Sequence, residues 1–212
     1  MLRENKTTIC NKALSLLGES GINNIDDDTT LQARTCRQYF DLALHTVLES
    51  GSWSHVTAEE KLERVLFKNY SEEQKYVYRI PNDCALIIRA YERHERKHLP
   101  GRLDWDLRYI SELNDTFIVC NAENKDKDKA DDVMIEYVKI ANNYSAYSAL
   151  FINTLVSCLA YMMCMDITKD TQKMNLMMQL YQLNEAKALQ KSLNEDCQDR
   201  MIWTDPITAS RG

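Results

Sequence analysis

LESGSWSHVTAEE, residues 48–60, is where the rhythm of the chain changes. Upstream, Cys36, Phe40, Ala43, Leu44 and Val47 recur at spacings that put them on one broad stripe of a helix over 29–50. Gly51 is well placed as the stop of that helix. Beyond it a lone Trp53 opens a segment without helical periodicity. The large apolar face of Trp53 is expected to pin the place where the chain leaves a helical body.

Working outward, residues 5–19 read as a first helix, with Ile9, Ala13, Leu16 and Leu17 on one face and Gly18 and Gly21 at its end. The run Asp26-Asp27-Asp28 is expected to cap the next helix and to complement its dipole. After the break, runs of strand type occur at 74–80, 85–91, 105–110, 116–120 and 133–140. They are short and rich in Val, Ile, Tyr and Phe, with turn signals at Pro81-Asn82-Asp83 and Pro100-Gly101. Brief connections imply antiparallel pairing. The segment 124–132, NKDKDKADD, lacks the glycine and terminal glutamate of a calcium loop and reads as a solvated hairpin tip.

Helical rhythm returns at 145–167 and 170–194. The first of these stretches carries no charge over 145–165, long enough to span a bilayer. Ser145, Ser148, Asn153, Thr154 and Ser157 dilute its hydropathy and no basic flank orients it, so it is read as the interior helix of a bundle. The expected fold is therefore α+β: a four-helix bundle from the N- and C-terminal helix pairs (1–52 and 141–194), an inserted antiparallel β region (53–140) and an extended C-terminal tail (195–212).

The last helix has two apolar sides. Met174, Met177, Tyr181 and Ala188 define one; Leu176, Leu180 and Leu183 define the other. The second is either a subunit interface or a face buried within the chain. Six of the nine methionines lie between 162 and 178, where adaptable core filling accounts for them. In the tail, Ile202 and Trp203 are costly to expose, and Pro206 argues for extended chain. The tail either anchors in a partner through Trp203 or packs back on its own domain.

Composition narrows the function. The chain has 212 residues, 44% apolar and 27% charged, with a formal net charge of -6, which gives no general affinity for nucleic acid or membrane. Seven cysteines form no CxxC pair and read as reduced core thiols of a reducing compartment. The N-terminus lacks the apolar run of a secretory signal. No phosphate loop, HExxH or G-x-S-x-G is present, no cofactor or metal is implied, and Glu59-Glu60 and Glu72-Glu73 are adjacent pairs that a strand would point to opposite faces. His94 and His98 have metal-compatible spacing but sit among Arg93, Arg96, Lys97 and Arg102, whose charges oppose a cation. That basic stretch would meet DNA phosphates or an acidic neighbour.

Three segments together carry a resemblance. NKALSLLGESGINNIDD followed by ARTCRQYFDLALHTVLESGSW gives a helix ending in Leu17-Gly18-Glu19, a short loop, and a helix ending just before Trp53. YVYRIPNDCALII supplies a tyrosine-rich strand leading into Pro81, Asp83 and Cys84, and YSALFINTLVSCLAYMMCMDIT closes on Ile167-Thr168. In order and spacing, over roughly residues 8–190 and a tail with Trp203 and Arg211, the chain resembles the head-to-tail connector (adaptor) proteins of short-tailed bacteriophages, also called tail tubular protein A. Gly51-Ser52 stand where relatives often have proline before the tryptophan, and 94–132 matches no part of the family pattern.

The resemblance implies a structural virion protein at the head-tail junction, assembled in the host cytoplasm. It implies a ring, a dodecamer in the family, joining the portal protein to the tail nozzle or next tail-tube protein, with DNA passing through its channel without sequence-specific binding. It further implies that Ile202, Trp203, Pro206 and Arg211 of the tail contact the portal. A peptidoglycan-degrading tail protein and a host helical interaction module are the alternatives.

Overall fold

A computed structural model describes residues 4–67, 76–92, 101–120 and 133–202, with backbone alone at 101–102 and 196–202. The protein is α+β and divides into two compact units. The helical unit is built from the chain up to Val56 and from Ala141 onward; the β unit is Thr57–Ile140.

In the helical unit, α1 (Lys6–Leu16) is capped by Asn5, whose side chain accepts from Thr8 N while Thr8 Oγ1 accepts from Asn5 N. The helix α2 (Leu31–Glu49) is capped by Thr30, which accepts from Ala33 N, and not by the acidic run. Asp28 instead accepts from Thr30 N, one residue outside the helix. Next come α3 (Ala149–Thr168), capped by Ser148, and α4 (Thr171–Ile202), opened by Asp170, whose Oδ1 accepts from Gln172 N and Lys173 N.

The expected four-helix bundle with an extended tail is corrected here. Among the described residues four helices accompany two antiparallel sheets, so the fold is not a simple bundle. Within the helical unit α3 is the hub, and α1, α2 and α4 each pack chiefly against it. Phe151, Leu155, Cys158, Leu159, Ala160, Met163 and Cys164 of α3 are buried, so a helix long and apolar enough to cross a membrane spends most of its length against its own neighbours. The tail expectation also fails for 195–202, which continue α4 to a total of 32 residues. That segment contains neither glycine nor proline, so nothing in it stops a helix.

Gly51 has a different role from the one its position implies. Its φ is not left-handed, and α2 ends on Ser50 in ordinary helical geometry. A Cβ at Gly51 would run into Leu189 Cδ2 of α4. A side chain at 51 would oblige Leu189 to shift its terminal methyl, so the glycine leaves room where the chain turns under α4. Trp53 then fills the turn: it is 1% exposed, donates its indole N–H to Val47 O (2.9 Å) and meets Phe151 edge-on at 4.9 Å between ring centres.

The β unit is also more than an appended β segment, because it forms two four-stranded antiparallel sheets with a core of their own. One has the order β1 (Thr57–Lys61), β8 (Val133–Lys139), β4 (Cys84–Glu92), β5 (Gly101–Arg102). The second has the order β2 (Glu63–Val65), β3 (Tyr76–Arg79), β7 (Asp115–Cys120), β6 (Trp105–Ile110). The two sheets face each other across Leu62, Tyr78, Ala90, Leu103, Ile118, Cys120, Val133, Ile135 and Tyr137. A second, smaller cluster of Val77, Ile110, Phe117 and Val119 occupies the opposite face of the second sheet.

Candidate functional site

Among the described residues, the surface that asks for a partner is the outer side of α4. Its inner side, Met174, Met177, Tyr181, Ala188 and Ser192, turns toward the rest of the helical unit. Leu176 and Leu183 lie on the opposite side and are 60% and 52% exposed, with Leu180 half-buried at the margin. Isolated exposed leucines need no explanation. Here they repeat at helical spacing along one line of a helix whose other side is already satisfied.

Hydrogen bonds along α4 also tie it to the rest of the helical unit. Lys173 Nζ donates to Leu17 O at the end of α1 (2.9 Å), and Asn184 Nδ2 donates to the buried Ser157 Oγ (3.2 Å). Ser192 Oγ donates to Ser52 O (2.8 Å) and accepts from Ser54 N (3.0 Å); Ser54 Oγ donates to Glu195 Oε2 (2.8 Å). Ala188 and Ser192, one helical turn apart, are the small residues that let the 51–56 segment lie against the helix. Sequence reading missed this clasp, although the small Ala188 and Ser192 one turn apart on α4 were its signal.

Within the clasp sits His55, ringed edge-on by Trp53 (6.1 Å), Phe151 (5.6 Å) and Tyr147 (6.2 Å). Its Nε2 is buried without a hydrogen-bond partner. Burial pulls its pKa below the ordinary histidine value; Lys191 acts in the same direction and Glu195 against it. The folded state therefore favours the neutral ring. An unfolded histidine titrates near ~6.5, so unfolding takes up a proton in the window just below that, and stability falls as pH drops through it. Urea midpoints measured from about pH 7 to about pH 5 are expected to fall for the native chain and to fall less for His55→Phe. Equal slopes would remove His55 from the account.

In the β unit, Tyr137 OH lies 3.0 Å from Glu60 Oε2 and 3.2 Å from Asp83 Oδ1, and Lys139 Nζ lies 2.8 Å from Asp83 Oδ2. Glu60 also lines an open depression with Leu62, Glu63, Arg79, Pro81 and Asn82. Two carboxylates around one phenol invite comparison with glycoside hydrolysis, which needs one of the pair to stay protonated near neutrality. The Lys139 ammonium holds the Asp83 carboxyl below the usual range, so Asp83 is a poor proton donor there. Burial raises the Tyr137 phenol above its ordinary value, which keeps it a hydrogen-bond donor to one carboxylate at a time. The cluster reads as a clasp across β1, β8 and the turn before β4.

The remaining sequence candidates fall mostly elsewhere. Arg102 lies in β5, where Tyr91 pairs with Arg102 and Glu92 with Gly101; Arg93, Arg96 and Lys97 lie outside the described residues, as do His94 and His98. Ile202 ends α4, and Trp203, Pro206 and Arg211 lie outside the described residues. The charged segment 124–132, expected as a hairpin tip, lies outside them as well. Searches of the sequence against protein-family models and against curated proteins return no match.

Proposed function

We propose that this chain is a non-enzymatic adaptor of a short-tailed bacteriophage, assembled as a ring between the portal and the tail. The sequence resemblance supplies the family, and one structural observation supports the assembly. A 32-residue helix packed on one side carries exposed leucines, Leu176 and Leu183, on the other. In a ring built from heterologous contacts each copy offers two different surfaces, one to each neighbour, and an unpartnered helix face is one such surface. A net charge of -6 also suits a duct that must release DNA. The Asp83–Lys139 pairing makes Asp83 a poor proton donor, which weighs against the peptidoglycan-degrading alternative at that residue.

Quantitative mass spectrometry of purified particles tests the reading. The chain is expected in the particle at the same copy number as a ring component. Its absence from particles that carry portal protein would overturn the proposal. Co-sedimentation of the purified chain with portal rings is the matching binding experiment.

A further inference from the structure

The second sheet of the β unit ends in two strands, β2 and β6, that have a single strand partner each among the described residues. Every neighbouring pair in the order β2, β3, β7, β6 is antiparallel. It follows that β2 and β6 run in opposite directions. A second copy set beside the first would therefore meet it with β2 antiparallel to β6, the same pairing the sheet already uses throughout.

Side-chain faces limit how such strands can join. Glu63 and Val65 share the face of Val77, while Arg64 shares the face of the buried Tyr78. On β6, Ile110 belongs to the Val77 cluster, so Asp106 and Arg108 lie on that same face. Trp105, Leu107 and Tyr109 lie on the other, with Trp105 against the inter-sheet core. Directly opposed residues on antiparallel strands share a face, so only alternate registers continue both faces across the junction.

Charge chooses among them. Placing Arg108 opposite Glu63 sets Asp106 opposite Val65, Leu107 opposite Arg64, Tyr109 opposite Leu62 and Trp105 opposite Leu66. Sliding two residues one way sets Asp106 against Glu63, a like-charge pair. Sliding the other way sets Ile110 against Glu63 and leaves no charge pair. The first register also places apolar side chains that are otherwise bare in the junction: Leu66, Tyr109 and Leu107 are 87%, 62% and 46% exposed. Arg108 also reaches Asp106 along its own strand at 3.5 Å, an exposed contact.

We propose that β6 of one copy pairs with β2 of the next, Arg108 facing Glu63, so that the second sheet continues from subunit to subunit. The partner is a second copy of this chain, and the inference rests on the ring reading above. The contact is heterologous and must close on itself or run on as a fibre. It also gives a use to an edge that would otherwise be an aggregation liability.

The test is a charge exchange in the full-length chain, read by sedimentation velocity with and without portal rings. Arg108→Glu and Glu63→Arg are each expected to raise the concentration for half-assembly by about tenfold, since each replaces an attractive cross-strand pair with a repulsive one. The double variant R108E/E63R is expected to assemble better than either single variant but short of the native value, because Arg79 stands opposite position 63 in β3. Asp106→Asn is expected to leave assembly within about twofold, because Asp106 faces Val65. Single variants that assemble like the native chain, a double variant no better than either single one, or a strong gain from Asp106→Asn would each overturn the pairing while leaving the ring reading intact. A native chain that never assembles under either condition would overturn both.

Discussion

Replacing Trp53 with alanine is expected to destabilise the helical unit by about 3–5 kcal/mol, the range for emptying a fully buried large aromatic site. The site is closed on every side the structure describes. Trp53 is 1% exposed, stands edge-on to Phe151 and anchors its indole on Val47 O. The cavity would open between α2, α3 and the clasp on α4. Trp53→Phe should cost much less, about 1 kcal/mol for the lost hydrogen bond plus some packing. Val47 O would not be orphaned, because Ser50 Oγ also donates to it at 3.0 Å. Urea unfolding followed by helical circular dichroism measures the loss. A loss below about 1 kcal/mol for Trp53→Ala would mean that the junction is held by something else.

The double variant Leu176→Asp, Leu183→Asp is expected to do the reverse, keeping the fold and abolishing assembly. Substitutions at exposed helix positions away from caps and cores stay within about 0.5 kcal/mol. Two carboxylates in the centre of an interface would be buried without partners, which few contacts survive. Thermal denaturation and sedimentation of the same preparations separate the two effects. If the monomer itself unfolds, the leucine stripe is internal to the chain, which is the alternative left open by periodicity alone.

The positions of the long elements were legible in the sequence, and their partners were not. The stripe on residues 36–47 is a property of α2 itself, and the Val-, Ile- and Tyr-rich runs fall where β3, β4, β6, β7 and β8 form. The first two strands of the β unit escaped notice. TAEEK and ERV carry charges where a buried strand would carry branched apolar residues. Both are edge strands within the chain, where charged residues are common. An apolar stripe says that a helix must be covered, never by which neighbour, so the hub position of α3 did not show in the stripes. The tail was misread because 195–202 lacks apolar periodicity.

The candidate surface was partly legible. Two apolar sides on the last helix were visible as spacing, and exposure of Leu176 and Leu183 decides which side is outward. The clasp around His55 was invisible, because hydrogen bonds such as Ser192 to Ser52 join residues far apart in the chain and leave no periodic trace. The Asp83–Lys139–Tyr137 cluster was hidden for the same reason.

The central position of α3 has a consequence for the order of events on the ribosome. Helices α1 and α2 leave the exit tunnel first and find little in each other to bury, because the surface they need lies beyond residue 148. All of Thr57–Ile140 must be synthesised in between, and that stretch has its own core to condense around. The N-terminal helices therefore wait, half-made, until the most apolar segment of the chain emerges to receive them. Nascent chains stalled just before and just after α3 should differ sharply in protease resistance at the N-terminus, and the waiting species is the one a chaperone would recognise.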